Sequence, residues 1–287
     1  MSESESPLLC PVCGEHLAPA GRALQCVNAH SFDLAQEGYV NLLLADSRPP
    51  KVRGDTREML LARRRFLERG HYAPLSEALA AQAYAHLAPH VGHGDLHVVD
   101  AGCGEGHHLG QVQRHVEARL GPEAVCFWGM DSAKEAIRLA ARRYPRIRFF
   151  VADINRRIPL AARSVHMLLN VFAPRNRAEF DRVVAPNGAL LVVIPAPEHL
   201  MPLRAELGLL GIEAGKREHV IAQFAGAFRP VDERHIEYDL ALGGGELRDL
   251  VAMTPSYWHM PPEALAALAG RQDVHVRVAF ELLLFAR

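Results

Sequence analysis

The run His97-Val98-Val99-Asp100-Ala101-Gly102-Cys103-Gly104-Glu105-Gly106 constrains this chain more than any other stretch. An apolar strand that empties into Asp-x-Gly-x-Gly-x-Gly must turn sharply and then open a helix, with bare main chain facing whatever lies at the helix mouth. A Cβ there would block both the turn and the close approach of a ligand. Dinucleotide loops space their glycines G-x-G-x-x-G. Here the glycines fall at Gly102, Gly104 and Gly106, and the loop opens with an acid, Asp100, suited to a cationic amino-acid group.

The downstream context decides what such a loop holds. Val125-Cys126-Phe127-Trp128-Gly129-Met130-Asp131 is a second buried-strand pattern ending in an acid, about thirty residues on, where a carboxylate would accept the two hydroxyl protons of a ribose. Ser132 is expected to cap a helix from Ala133 to Tyr144, and Phe149-Phe150-Val151-Ala152-Asp153 supplies a third strand whose acid can reach an adenine amino group. Each acid alone could be an ordinary capping residue. Together with the loop they point to S-adenosylmethionine, held by Asp100, Gly102, Gly104, Glu105, Gly106, Asp131 and Asp153.

Strand signals at 97–101, 125–130, 147–152, 165–171 and 189–195 alternate with helical ones, the doubly wound pattern of an α/β parallel sheet. His235 to Leu242 and Val274 to Phe285 alternate apolar and polar residues and read as an antiparallel pair closing it. With 287 residues, 49% of them hydrophobic, the chain can bury a full core. A net charge of −1 confines any nucleic-acid surface to a local patch. No run reaches the roughly eighteen apolar residues of a membrane span, and the acidic Met1 to Ser6 is no signal peptide, so a cytoplasmic protein without membrane contact is expected.

Near the N-terminus, Cys10-Pro11-Val12-Cys13, Cys26 and His30 have the spacing of a closed tetrahedral zinc site, with His16 as a rival ligand. A thirty-residue segment buries too little apolar surface to fold unaided, so a structural metal is expected. Cys103 and Cys126 read as packing residues. From Arg48 to Arg69, eight basic residues (Arg48, Lys51, Arg53, Arg57, Arg63, Arg64, Arg65, Arg69) face three acids (Asp55, Glu58, Glu68). Asp55 or Thr56 starts a helix there that puts Arg57 and Arg64 on exposed faces, either as a solvated surface or as an RNA contact. The expected organisation is a zinc-binding RNA-recognition domain over 1–45, a basic linker and helix over 46–70 and a catalytic domain over 71–287.

Cys10-Pro11-x-Cys13, Cys26-x3-His30-x-Phe32-Asp33, Glu37-Gly38-Tyr39-Val40-Asn41, Gly54-Asp55-Thr56, Gly70-His71-Tyr72, the glycine loop, Phe172-Ala173-Pro174, His199-Leu200 and Met253-Thr254-Pro255-x-x-Trp258 together resemble the bacterial RlmA family of 23S rRNA guanine-N1 methyltransferases. The resemblance spans nearly the whole chain. It implies a class I S-adenosylmethionine-dependent methyltransferase with a Rossmann-like mixed sheet and a small N-terminal zinc domain, acting on N1 of a guanine in hairpin 35. It also implies that Tyr72 and His199 contact the cofactor, and it leaves a homodimer among the expected assemblies. Asn170 to Asn176 is similar to the branch linked to macrolide tolerance, RlmA(II).

Methyl transfer from a sulfonium is an in-line displacement, so alignment at about 3 to 3.5 Å matters more than an acid for the leaving group. N1 must lose a proton, and no base is obvious. Asn170, Phe172 and Pro174 stand where the target base is presented; Asn170 is the candidate catalytic residue through a hydrogen bond to the guanine edge, and Phe172 is a stacking or core residue. The Asn-Pro-Pro-aromatic tetrad of exocyclic-amine methyltransferases is absent. Tyr257 and Trp258, after the break enforced by Pro255, could roof the pocket or simply pack. A methyltransferase for another RNA or a small molecule, and an inactive RNA-binding module, are the competing readings.

Overall fold

A computed structural model describes residues 6–44 and 55–287; Arg48, Lys51 and Arg53 of the basic segment lie outside them. The N-terminal part is an antiparallel ribbon of three three-residue strands, β1 (Ala18–Ala20), β2 (Ala23–Gln25) and β3 (Ser31–Asp33), followed by β4 (Val40–Asn41). Helix α1 (Arg57–Glu68) starts where Thr56 accepts the Met59 amide on Oγ1 at 3.2 Å, and α2 (Ala73–Leu87) begins with proline in its first turn. Then come β5 (Leu96–Ala101), α3 (His107–Leu120), β6 (Val125–Asp131), α4 (Lys134–Arg143), β7 (Arg148–Val151), β8 (Val165–Val171), α5 (Arg177–Val183) and β9 (Val184–Pro195). The C-terminal part comprises α6 (Leu203–Leu207), α7 (Lys216–Phe224), β10 (Arg229–Leu242), α8 (Gly244–Ala252), α9 (Pro262–Ala267) and β11 (Val274–Ala286).

Eight strands form one sheet in the order β10-β11-β9-β8-β5-β6-β7-β4. Strand pairs from β9 to β4 are parallel, and β11 joins β9 and β10 antiparallel, as the long alternating C-terminal runs suggest. Residues of β5 alternate between two cores: Leu96 and Val98 pack with α1, α2, α3 and α8, whereas Val99 and Ala101 pack with α5 and α7. The chain winds outward in both directions from β5, whose neighbours are β6 and β8, so the crevice at its carboxyl end is the switch point where such sheets bind ligands. No helix among the described residues is long and apolar enough to cross a membrane.

Two expectations change. Ser132 does not cap the fourth helix; Ala133 does, and its amide donates instead to Asp131 Oδ1 at 2.8 Å, so the strand-end acid itself shapes the turn into α4. Nor does the ribbon stand on a separate core. Leu8 bridges Leu160, β4 pairs with β7, and Leu8, Leu17, Cys26, Val40 and Leu42 share one apolar cluster with Phe150, Ile158 and Leu160. A ribbon of three-residue strands has little apolar area of its own, and the sheet edge supplies the rest.

Candidate active site and metal centre

At the end of β5, Gly102, Gly104 and Gly106 all adopt φ between +54° and +90°, which only glycine enters without strain. A Cβ on Gly102 would stand 2.4 Å from the Ala173 Cβ, so the loop packs against the turn after β8 as well as bending. Amides of Gly102 and Cys103 donate to the Met130 carbonyl at 2.9 Å, and the Gly104 amide donates to Asp131 Oδ2 at 2.9 Å. Asp131 therefore ties the loop to β6 while each of its oxygens keeps a further lone pair. Burial pushes its carboxyl up, and the two amide donors oppose that.

Asp100 is 2% exposed, and its Oδ1 is buried without a hydrogen-bond partner. Burial, reinforced by the Asp131 charge, pushes its carboxyl up to about 8. An orphaned carboxylate oxygen of this kind fits the ammonium of an amino acid, which would return Asp100 to its charged form. The loop, Asp100 and the Asp131 carboxylate thus suit the amino-acid and ribose parts of S-adenosylmethionine. Asp153 lies just past β7; its Oδ1 accepts from the amide and side chain of Asn155 at 2.9 and 3.2 Å, and Arg156 approaches at 3.5 Å.

Tyr72 and His199 come together 127 residues apart in sequence: their rings lie 6.3 Å apart and both pack on Phe280, at 4.9 and 4.8 Å. The row continues through Phe172, 5.5 Å from Phe280, to His108 at the start of α3, 6.5 Å further. His199 accepts the Ala279 amide on Nδ1 at 3.2 Å, and burial holds it down to about 3. Phe280 escaped the sequence reading because it is one of several apolar residues on the same buried face of β11, with nothing to set it apart.

Phe172 is 44% exposed and holds φ of +54°, a conformation that costs a non-glycine residue energy and that clusters at functional sites. Asn170 is fully buried, and its amide donates to the carbonyls of Ala101 at 3.1 Å and Pro174 at 2.9 Å. Both its protons are therefore engaged in tying β5 to the turn after β8, with Oδ1 buried and without a partner.

The arginine helix does not present a bare basic face. Arg57 is exposed, but Arg64 donates from Nε to Glu105 Oε2 at 2.7 Å, inside the glycine loop. Arg65 grips Asp249 of α8 with two nitrogens, Arg63 bonds Asp55 at 2.5 Å, and Arg69 pairs with Glu246 at 3.0 Å. The Glu105 side chain is thus turned toward α1. Burial pushes its carboxyl up and the Arg64 charge pulls it back. Partner carboxylates 41 and 184 residues away explain why local charge counting could not see these pairs.

In the ribbon, ligand atoms of Cys10, Cys13, Cys26 and His30 lie within 4.8 Å of one another; His16 lies outside this group. A turn with Gly14 at φ of +80° returns the chain after Cys13, and Ala29 at +62° turns it between Cys26 and His30. Cys13 Sγ is 3.7 Å from Cys26 Sγ, and Cys26 Sγ is 3.4 Å from His30 Nδ1. Tetrahedral zinc with ordinary bond lengths separates two sulfurs by about 3.8 Å and a sulfur from an imidazole nitrogen by about 3.6 Å. The donor set and its spacing fit that ion.

Comparison with known families agrees with both centres. The profile described as RlmA, N-terminal, matches residues 8–49, and the one described as Methyltransferase domain matches 98–188. A Streptomyces fradiae protein named 23S rRNA (guanine(748)-N(1))-methyltransferase is 42% identical over 277 residues, 95% of each chain. The chain belongs to the RlmA family. A Micromonospora griseorubida relative, provisionally a 23S rRNA (guanine-N(1)-)-methyltransferase, is 45% identical over 91% of this chain and 90% of its own. As in its family, the chain combines a class I S-adenosylmethionine-dependent methyltransferase domain with an N-terminal zinc ribbon.

Proposed function

We propose that this protein transfers the methyl group of S-adenosylmethionine to N1 of a guanine in hairpin 35 of 23S rRNA, at the position that the Streptomyces fradiae relative carries in its name. The observation that carries the reading is the orphaned Asp100 Oδ1 beside Asp131 under a glycine loop, in a chain so similar over its full length to that relative. Such work on ribosomal RNA belongs to the cytoplasm.

Bound S-adenosylmethionine supplies an electrophilic methyl group on a sulfonium. Asp100 would receive the ammonium, Asp131 the ribose hydroxyls and Asp153 the adenine amine, while Tyr72 and His199, packed on Phe280, would wall the cofactor. Phe172, exposed at the end of β8, offers a ring on which a base turned out of its stack can lie. Asn170 acts as a positioning residue: with both amide protons held by backbone carbonyls, it fixes the loop and the Phe172 turn, and its Oδ1, which has no partner, is the atom left to accept from a guanine edge. Burial keeps His199 and His108 neutral and weakly basic, so neither is a strong base for the N1 proton. Alignment of the two reacting atoms then supplies most of the acceleration.

Incubation with labelled S-adenosylmethionine and 23S rRNA, followed by mass spectrometry of hairpin 35 fragments, should find one N1-methylguanine. Label appearing in a metabolite pool and not in rRNA would favour the small-molecule reading.

A further inference from the structure

The amino-acid end of S-adenosylmethionine carries a carboxylate as well as an ammonium, and the walls described so far are acidic. Asp100, Asp131 and Glu105 all face or flank the loop, so a ligand carboxylate there needs a cation of the protein's own. Arg64 gives its Nε to Glu105 at 2.7 Å, and its Nη2 is buried without a partner. Arg63, the preceding residue on α1, is placed differently: its Nη1 lies 3.5 Å from the point that a Cβ on Gly104 would occupy, beside the bare backbone that the glycines keep open. Its charge acts on Asp131, Glu105 and His108. Nη1 donates to Asp55 at 2.5 Å and Nη2 to the Met253 carbonyl at 3.0 Å, so the guanidinium is oriented before any ligand arrives.

We propose that Arg63 receives the α-carboxylate of the cofactor's methionine end, completing with Asp100 a pair of opposite charges for the two charged groups of that end. A planar, always-charged fork suits a carboxylate better than a flexible ammonium does. The role rests on the methyltransferase reading above. It also gives α1 a function in the catalytic domain, since the helix that follows the ribbon would close the cofactor loop.

The test is calorimetric titration of the full chain and of Arg63→Met and Arg63→Lys with two ligands: S-adenosylhomocysteine, and its decarboxylated analogue, which keeps the amine. Arg63→Met should lose about tenfold or more in affinity for S-adenosylhomocysteine and little for the analogue, so that the preference of the unaltered protein for the carboxylate-bearing ligand disappears. Arg63→Lys, which retains charge without the fork, should recover part of the loss; should Arg63→Met fail to fold, the loss in Arg63→Lys must still be confined to S-adenosylhomocysteine. Undiminished affinity in Arg63→Met, or equal losses for both ligands, would overturn the assignment. If the unaltered protein bound neither ligand, the methyltransferase reading itself would fall.

Discussion

Loss of the ribbon's metal should destabilise the whole protein, because the ribbon and the catalytic sheet share one apolar cluster. Cys13→Ser removes one of four ligands and leaves the remaining donors with no closed shell. If the ribbon then unfolds, Leu8, Leu17, Val40 and Leu42, now 3%, 2%, 2% and 3% exposed, all reach water. At about 1.5 to 3 kcal/mol for each such side chain, the four represent about 6 to 12 kcal/mol as an upper estimate. That is comparable with the total stability of a typical domain, about 5 to 15 kcal/mol. Scanning calorimetry of the zinc-loaded protein should show the ribbon and the sheet melting together, and Cys13→Ser or chelation should lower that transition by about 10 °C or more. A variant that loses zinc yet binds S-adenosylhomocysteine with an unmoved melting temperature would refute the shared-core argument and restore two independent domains.

Asp131→Ala should weaken S-adenosylhomocysteine binding by about 1.5 to 3 kcal/mol by calorimetry, since it removes the proposed ribose acceptor as well as the anchors of Gly104 and Ala133; unchanged affinity would show that the second strand-end acid is not the ribose ligand. Phe172→Ala should leave S-adenosylhomocysteine affinity intact and weaken methylation of rRNA, with about 1 to 3 kcal/mol lost from base stacking; equal losses for both ligands would make Phe172 a packing residue. Stability should rise from pH 4.5 to about 6.5 and then decline gently towards pH 8. Burial holds His97 and His107 down to about 4 and His108 and His199 to about 3, so below 6.5 the unfolded chain takes up protons that the folded one refuses. Asp100, raised from 3.8 to about 8, acts in the opposite sense: its contribution to the folded state is full below 3.8 and is lost progressively as the pH rises from there through 8. Four histidines outweigh it on the acid side, and denaturant melts at several pH values that showed greatest stability near pH 4.5 would contradict this balance.

Features that depend on local chemistry were legible in the residue order. Glycines at 102, 104 and 106 permit the positive φ that a sharp loop needs, strand-end acids follow from the period of buried strands, and the Cys10, Cys13, Cys26 and His30 spacing brings four donors together through two short turns. The alternation of strands and helices, and the two long C-terminal strands, were legible for the same reason. Long-range packing settled the rest. It turned Arg64 inward to Glu105 and engaged both amide protons of Asn170, since those partners are brought close only by the folded sheet and the helix laid across it. The same packing joined Phe280 to Tyr72 and His199 and fused the ribbon's few leucines to the edge of the sheet, contacts between residues far apart in the sequence that no local pattern records.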